Sequence, residues 1–282
     1  MVKRADERGV ALIFVLWLLV LLGAIIADVA SRARSEAAIL STLRSRTVAR
    51  NAAESGVLVA TVRIEALLDS AQGATERIAA FRGLDERFAA LREIDLGRAR
   101  FGIAVVDLNS RIDLNRADEA ALRGLFGQFT SESRAGAIAA ALKRGPPVER
   151  LGELLQIPGV DDSLALAVAP YVTVWGDGVV NVNSAPEPVL AALPGIGSAA
   201  ARSVVRRRAG GEVFTSLDAA RPPRAAGVAM VQPGPPLSAV PTRLMVISRG
   251  WQDGQPLTHE IQAVFAIVGQ RLVLQASWER DL

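Results

Sequence analysis

The longest uninterrupted pattern in the chain is an apolar run over residues 10–27, VALIFVLWLLVLLGAIIA, which contains no charged residue. At about 1.5 Å per residue, a helix over this run matches the thickness of a bilayer core. A cleaved signal peptide would end in a small-residue cleavage site, but here Asp28, Arg32 and Arg34 follow the run. The run therefore predicts a membrane-spanning segment that the mature protein retains.

The helical pattern continues well beyond this run. The first proline is Pro146, and residues 28–68 contain only one isolated glycine. We therefore expect one helix from residue 10 to about residue 68, which would be roughly 88 Å long. Helical spacing gives its second half an apolar face, interrupted by Arg44 and Glu54, that we expect to pack on a domain. The residues of this face are Leu40, Leu43, Thr47, Leu58 and Val62.

An internal repeat organises the middle of the chain. Residues 111–125 read RIDLNRADEAALRGL and residues 179–193 read VVNVNSAPEPVLAAL, with matching positions 68 residues apart and no gap. Each copy begins with the alternation typical of a strand and passes through an Asn-x-Ala turn into a short helix. Asn115 and Asn183 are expected to cap these helices, and duplication of one unit explains the pattern.

Two segments, residues 154–172 and residues 189–208, follow a helix-hairpin-helix pattern. In each, a proline ends the first helix and a glycine allows the chain to reverse. The turn residues are Pro158, Gly159, Pro194, Gly195 and Gly197.

In DNA-binding proteins such a turn presents its N–H groups to a phosphate. The second hairpin carries Arg202, Arg206, Arg207 and Arg208 without a neighbouring acid, whereas the first carries Asp161 and Asp162 where a phosphate would approach. We therefore expect a structural role for both hairpins and no nucleic-acid partner.

The remaining segments predict strands and loops. Residues 101–115 and residues 172–183 are each expected to form a β-hairpin, around Asn109-Ser110 and Gly176-Asp177-Gly178 respectively. Residues 71–100 are polar and helical in pattern and predict a variable surface excursion.

The end of the chain has a different pattern. Residues 221–241 contain six prolines and predict a loop. Residues 242–282 contain three runs rich in β-branched residues and predict an antiparallel meander.

Composition narrows the possible chemistry. The chain of 282 residues is 50% hydrophobic and 22% charged, with a net charge of +3, which is typical of a globular protein. It has no cysteine, which excludes disulfides and thiolate zinc sites, and one histidine, His259, expected at the surface or half-buried. Asp161-Asp162, Asp177 and Asp253-Gly254 could supply oxygen ligands, but their spacing favours solvated turns over a calcium loop. We expect no catalytic site and no metal site.

The N-terminus resembles the processing site of type IV pilins and of type II secretion pseudopilins. A short leader, residues 1–9, ends in Arg8-Gly9 directly before the apolar run. The resemblance implies that a prepilin peptidase cuts between Gly9 and Val10 on the cytoplasmic side. Most members carry a glutamate as the fifth residue after the cut, where this chain has Phe14. Among pseudopilins, the K subunit is the one that lacks it.

The resemblance to the K subunit covers nearly the whole chain, and NVNSAPEPVLAALPGIG is its most specific stretch. It implies an α+β fold: a long N-terminal transmembrane helix and a pilin-like antiparallel sheet with an inserted helical region of helix-hairpin-helix or SAM-like type. It also implies a non-enzymatic structural subunit at the pseudopilus tip, together with minor pseudopilins I and J. The resemblance is compatible with a bound calcium ion. Since the leader has three basic and two acidic residues, we expect a cytoplasmic N-terminus, a single inner-membrane span and a periplasmic bulk.

The expected organisation follows these patterns. Its parts are a leader at 1–9, a transmembrane segment at 10–27, a periplasmic helix at 28–70, an excursion with first strands at 71–115, an inserted helical region at 116–172, a second strand-helix-hairpin unit at 173–220, a proline-rich loop at 221–241 and a meander at 242–282.

A membrane-anchored DNA-binding protein resembling competence receptors is the alternative, because those also pair an anchor with helix-hairpin-helix motifs. Such a receptor needs neither the Gly9 leader nor the meander after residue 241.

Overall fold

The structure is a computed structural model that describes residues 4–215 and 237–282, with side chains from residue 11 onward except that of Asp85. Its helices are α1 Arg4–Ser70, α2 Ala74–Phe81, α3 Leu84–Ala89, α4 Glu119–Phe126, α5 Glu132–Arg144, α6 Asp162–Val168, α7 Glu187–Ala192 and α8 Gly197–Ala209. Its strands are β1 Ile94–Leu96, β2 Ala99–Asp107, β3 Ile112–Asp113, β4 Val172–Thr173, β5 Val180–Asn181, β6 Leu237–Ser238, β7 Arg243–Gln252, β8 Thr258–Val268 and β9 Arg271–Asp281.

Helix α1 dominates the molecule, and the single long helix predicted from the sequence is present. It is the one helix in the described part of the chain that is long and apolar enough to cross a membrane, and its most apolar stretch is fully exposed. The side chains of residues 11–29 are all exposed, whereas burial against the rest of the protein begins at Ser45.

The face of α1 that packs on the protein is not the predicted one. Leu40, Leu43, Leu58 and Val62 are 54–66% exposed. The buried face consists mainly of small residues, because only these let the helix approach the sheet closely. A Cβ atom on Gly250 would lie 2.1 Å from the carbonyl oxygen of Ala49. The residues buried on this face are Ser45, Ala49, Ala52, Ala53, Ala60, Ile64 and Leu68.

A five-stranded antiparallel sheet in the order β1-β2-β7-β8-β9 packs against α1, and the predicted C-terminal meander is its β7-β8-β9 part. Phe101, Val246 and Phe265 project from the strands into a core shared with α1 and α3. We call this unit, residues 45–107 and 243–282, the sheet lobe. Residues 71–100 form α2, α3 and β1 at its side.

The second unit, residues 112–215 with β6, is mainly helical, and we call it the helical lobe. Its buried residues form one continuous core from Ile112 to Leu237. The sequence-based boundary between residues 172 and 173 therefore does not separate two cores. Most of the predicted loop 221–241 lies outside the described residues, and its last part contains β6.

Both predicted β-hairpins in this region are wrong. Strand β2 ends in a 3₁₀ turn, Leu108–Ser110, and β3 then pairs in parallel with β4. Strand β5 pairs in parallel with β6, so β4 and β5 belong to separate two-stranded sheets. The alternation of apolar and polar residues predicts extended backbone correctly here. Strands of only two residues are too short for their sequence to indicate which strand they pair with.

The internal repeat is a repeat of structure as well as of sequence. Strands β3 and β5 each lead into a helix, and α4 and α7 begin at equivalent positions, Glu119 and Glu187. The two helices pack on each other so closely that a Cβ atom on Gly124 would lie 2.7 Å from the carbonyl oxygen of its repeat equivalent, Ala192.

The two repeat asparagines do not cap these helices, contrary to expectation. Asn115 instead exchanges two hydrogen bonds with the backbone of Val148, at 2.9 and 2.8 Å. Asn183 does the same with the backbone of Phe214, both at 2.9 Å. Asp118 caps α4 by accepting from the N–H of Ala121. The asparagines therefore tie each repeat to a later segment of the helical lobe.

Candidate assembly surface and lobe junction

The predicted cleavage site lies near the start of α1. Gly9 and Val10 belong to its helical backbone, and cleavage between them stays a prediction. Phe14, at the position where most pilins have glutamate, is 74% exposed among other apolar side chains. The first ion pair along the described part of the helix joins Asp28 to Arg32, at 2.9 Å. A membrane around residues 11–27 would therefore contact only apolar and small side chains.

Beyond the membrane segment, α1 presents an apolar surface that the described residues leave exposed. The outer face, defined as Leu40, Leu43, Thr47, Leu58 and Val62, points away from the sheet lobe. Each apolar Å² removed from water contributes about 25 cal/mol, so this face favours association with another apolar surface. Its helical spacing suits a second helix lying alongside α1.

The first hairpin turn is held by an internal ion pair. Gly159 adopts a positive φ of 90°, and its carbonyl oxygen accepts from Arg134 Nε at 2.7 Å. The same guanidinium contacts Asp161 at 2.6 Å, and Asp161 also caps α6 by accepting from the N–H of Leu164. The Arg134 hydrogen bond, followed by this capping bond, lowers the pKa of the Asp161 carboxyl. The carboxylate predicted to repel phosphate thus serves to fix the turn.

The second hairpin turn joins α7 to α8 through Gly195 and Gly197, both with positive φ. The arginines that follow mostly have partners within the protein. Arg208 donates to the carbonyl oxygens of Val182 and Ala185, and burial lowers its pKa.

Two further arginines of α8 are also engaged. Arg207 pairs with Glu212 and lies over the ring of Phe214, 4.7 Å from its centroid. Arg202 lies 3.8 Å from Glu187. These contacts support the expected packing role of the hairpin.

The junction between the lobes is centred on Asn109, which is fully buried. Its amide nitrogen donates to Asp177 and to the carbonyl oxygen of Val179, both at 2.9 Å. Its amide oxygen accepts from the N–H groups of Thr242 and Arg243 at the start of β7, both at 2.9 Å. One side chain therefore ties the helical lobe to the first residues of a central sheet strand.

Asp107, two residues earlier, adds a second tie. Its carboxylate accepts from Asn181 at 2.8 Å, from Ser184 at 2.5 Å and from the N–H of Asn109 at 2.8 Å. Burial raises the pKa of Asp107, although these hydrogen bonds oppose the rise.

Two contacts outside this centre complete the junction. Trp175 stacks on Trp278 of β9 with ring centroids 5.0 Å apart, which places both tryptophans at the seam. Arg82, after α2, donates to the carbonyl oxygens of Arg208 and Gly211 at 2.7 and 3.1 Å. The helical lobe is therefore attached at several separated points.

His259 is buried, contrary to the expected surface or half-buried position. It is 4% exposed, on the face of β8 that meets α1. Its ring nitrogens contact Asp281 at 2.6 Å and Glu279 at 2.8 Å. No sequence motif indicated this cluster, because its members are brought together only by the register of β8 and β9.

The described residues contain no group of three or more histidine, aspartate or glutamate side chains placed to hold a metal ion. Asp177 also accepts from Thr242 at 2.5 Å, and Asp253 lies 3.3 Å from Arg100. Calcium binding stays an expectation from the resemblance.

Comparison with known proteins adds two findings. The family model described as type II secretion system (T2SS), protein K, matches residues 180–239. The fold is similar to a chain in the crystal structure of the GspK-GspI-GspJ complex from the enterotoxigenic Escherichia coli type 2 secretion system. That match has a TM-score of 0.51 and 14% sequence identity, and it covers 88% of this chain and 99% of that chain. No curated protein matches the chain. The α+β fold class and the resemblance to protein K are thereby confirmed.

Proposed function

We propose that this chain is a K-type minor pseudopilin: a non-enzymatic structural subunit at the tip of a type II secretion pseudopilus, needed for export of folded proteins from the periplasm across the outer membrane. The observation that carries the proposal is the joint match in sequence and fold. The family model covers the stretch containing NVNSAP and LPGIG, and the fold match extends over 88% of the chain.

Minor pseudopilins I and J are the proposed partners. The solved neighbour is a complex of GspK with GspI and GspJ. The outer face of α1 supplies a surface for such partners, since its leucines are more than half exposed. Helices that emerge side by side from one membrane would meet along this face.

The proposed placement is a single inner-membrane span with the N-terminus in the cytoplasm. Its support is the apolar segment of α1 and the basic excess of the leader. Prepilin peptidase would remove residues 1–9, and N-terminal sequencing of the mature protein should then begin at Val10. Finding Met1 on the mature protein would contradict this step.

Two features favour the tip over the shaft. Phe14 cannot form the ion pair that a glutamate would offer to the amino terminus of a neighbouring subunit. The helical lobe also adds a second packed core beside the sheet lobe, so a subunit stacked repeatedly along a filament would have to accommodate that extra bulk.

The DNA-binding alternative receives little support. Arg202, Arg207 and Arg208 are engaged by Glu187, by Glu212 and by backbone carbonyl oxygens, respectively. A phosphate would have to displace these partners, which would offset part of its own binding energy.

Co-purification tests the proposal directly. The tagged full-length chain would be co-expressed with minor pseudopilins I and J, extracted in detergent and captured, with an unrelated single-span protein carrying the same tag as control. We expect both partners to be retained by the chain alone. Capture of neither partner, together with salt-sensitive binding of duplex DNA, would favour the competence-type alternative.

A further inference from the structure

The cluster around His259 lies where α1 leaves the sheet lobe. Strand β9 is an edge strand without a fully buried residue, and its last residues lie beside α1. Arg46 of α1 contacts Asp281 at 2.7 Å, and Arg50 contacts Glu279 at 2.9 Å. The cluster therefore joins the end of β9 to the first part of α1 that packs on the protein.

The hydrogen bonds of His259 depend on its protonation state. A neutral imidazole has one N–H, so it can donate to only one carboxylate while its other nitrogen directs a lone pair at the second anion. An imidazolium donates from both nitrogens and satisfies both Asp281 and Glu279. The arginine contacts favour ionised carboxylates, and the His259 hydrogen bond, followed by the charge of Arg50, lowers the pKa of Glu279.

The surrounding charges agree with a protonated ring. Helix α1 contributes Arg46 and Arg50, with Glu54 bound to Arg50 at 3.3 Å. Glu279 and Asp281 of β9 complete the group, which then has two cations, the arginines, and three anions, the carboxylates. A protonated His259 adds a third cation and balances the charge. On the other side, β7 places Gly250 opposite His259 and contributes no charge to this face.

The neighbouring charges on the sheet form a separate group. Arg249, Glu260 and Arg280 lie on the opposite face, where both arginines bind Glu260. They therefore do not supply a counter-charge to His259.

The geometry points to a pH-dependent clasp: His259 of β8 is an imidazolium in the folded protein, and its two charged hydrogen bonds hold the Glu279 and Asp281 carboxylates at the end of β9, where Arg46 and Arg50 of α1 also bind them. Loss of the proton as the pH rises removes one of these bonds and loosens the last residues of β9, which the ladder to β8 and the contacts of Arg46 and Arg50 still hold. Protonation of Glu279 at low pH weakens its bond to the ring, because the carboxyl group then carries no charge. The inference concerns the single chain and does not rest on the proposed function.

Nitrogen NMR tests the charge of His259 without ambiguity, because it is the only histidine in the chain. The full-length protein, labelled with ¹⁵N-histidine in detergent micelles, should show both ring nitrogens protonated at neutral pH. A neutral ring with a single N–H in the folded protein would overturn the inference. A ring that stays protonated until the protein unfolds would overturn the loosening of β9.

Hydrogen exchange tests the fastening itself. As the imidazolium signal disappears, amide exchange at residues 278–281 should rise by about tenfold or more beyond the intrinsic effect of pH. His259→Gln should show the fast exchange at all pH values. Glu65→Gln is the matched control, because Glu65 binds Arg271 and the N–H of Leu272 at the far end of β9. This variant should keep the pH response at residues 278–281, and an unchanged response in His259→Gln would overturn the clasp.

Discussion

Single residues set the distance between α1 and the sheet. Gly250 lies under the backbone of α1, where a Cβ atom would fall 2.1 Å from the oxygen of Ala49 and 2.4 Å from the nitrogen of Ala53. Gly56 makes the reciprocal approach from the helix toward Ser248. At Gly250 backbone atoms rather than flexible side chains fill this space, so a larger residue could enter there only if the helix moved.

Gly250→Ala is therefore expected to destabilise the sheet lobe by about 2 kcal/mol or more, as overpacking of a close contact does. Thermal unfolding of the full-length protein in micelles would measure the change. Gly152→Ala is the matched control, since a Cβ atom there meets nothing within 4 Å. Equal melting temperatures for the two variants would contradict the close packing of α1.

Arg208 and Arg206 are expected to differ although both belong to the basic end of α8. Arg208→Ala removes two hydrogen bonds to buried carbonyl oxygens and should destabilise the helical lobe by about 1.5–3 kcal/mol. Arg206 is exposed, and Arg206→Ala should change stability by less than about 0.5 kcal/mol. Urea unfolding would compare them, and equal effects would show that the bonds of Arg208 contribute little.

At the scale of elements, the sequence predicts the length of α1 well and its packed face wrongly. Length follows from the absence of proline and turn residues, which are local properties. The packed face was inferred from the positions of leucine and valine, on the assumption that large apolar residues face the core. Here close approach selects alanine and glycine for the inner side, so Leu58 and Val62 remain outside.

The same reasoning separates assembly from folding. Replacing Leu58 and Val62 together by serine should leave the unfolding transition nearly unchanged, because both side chains are already more than half exposed. Retention of the I and J partners in the co-purification should fall several-fold, since apolar area available for association is lost. Leu166→Ser, at a position 76% exposed on α6, is the control and should retain them. Full retention by the double variant would exclude this part of the outer face from the interface.

At the scale of the whole molecule, the sequence anticipates both lobes but not their junction. The repeat places Asn109 and Asp177 each two residues before one of its copies, 68 residues apart. It does not indicate that Asn109 would also bind the start of β7, because that contact depends on how the two lobes dock. Likewise, the boundary expected at residue 172 reflected the repeat, whereas the core is continuous across it.

The bulk of the helical lobe leads to a prediction about copy number. A tip subunit should be present in few copies per filament and should label only filament ends. Immunogold labelling of pseudopili assembled with an epitope-tagged chain would measure this distribution. Labelling along the filament, at the density of the major subunit, would contradict the tip assignment.

The two sides of α1 differ in how freely they can change over evolution. The inner side is constrained: a Cβ atom on Gly56 would lie 2.1 Å from Ser248 Oγ and 2.9 Å from the Phe101 ring, and Ala49 is fully buried, so few substitutions at these two positions keep the fold. The outer side has no such constraint from residues 4–215 and 237–282, and exchanges among apolar residues there should leave the monomer intact. Partner choice can therefore drift in one lineage while the architecture of the subunit is inherited unchanged.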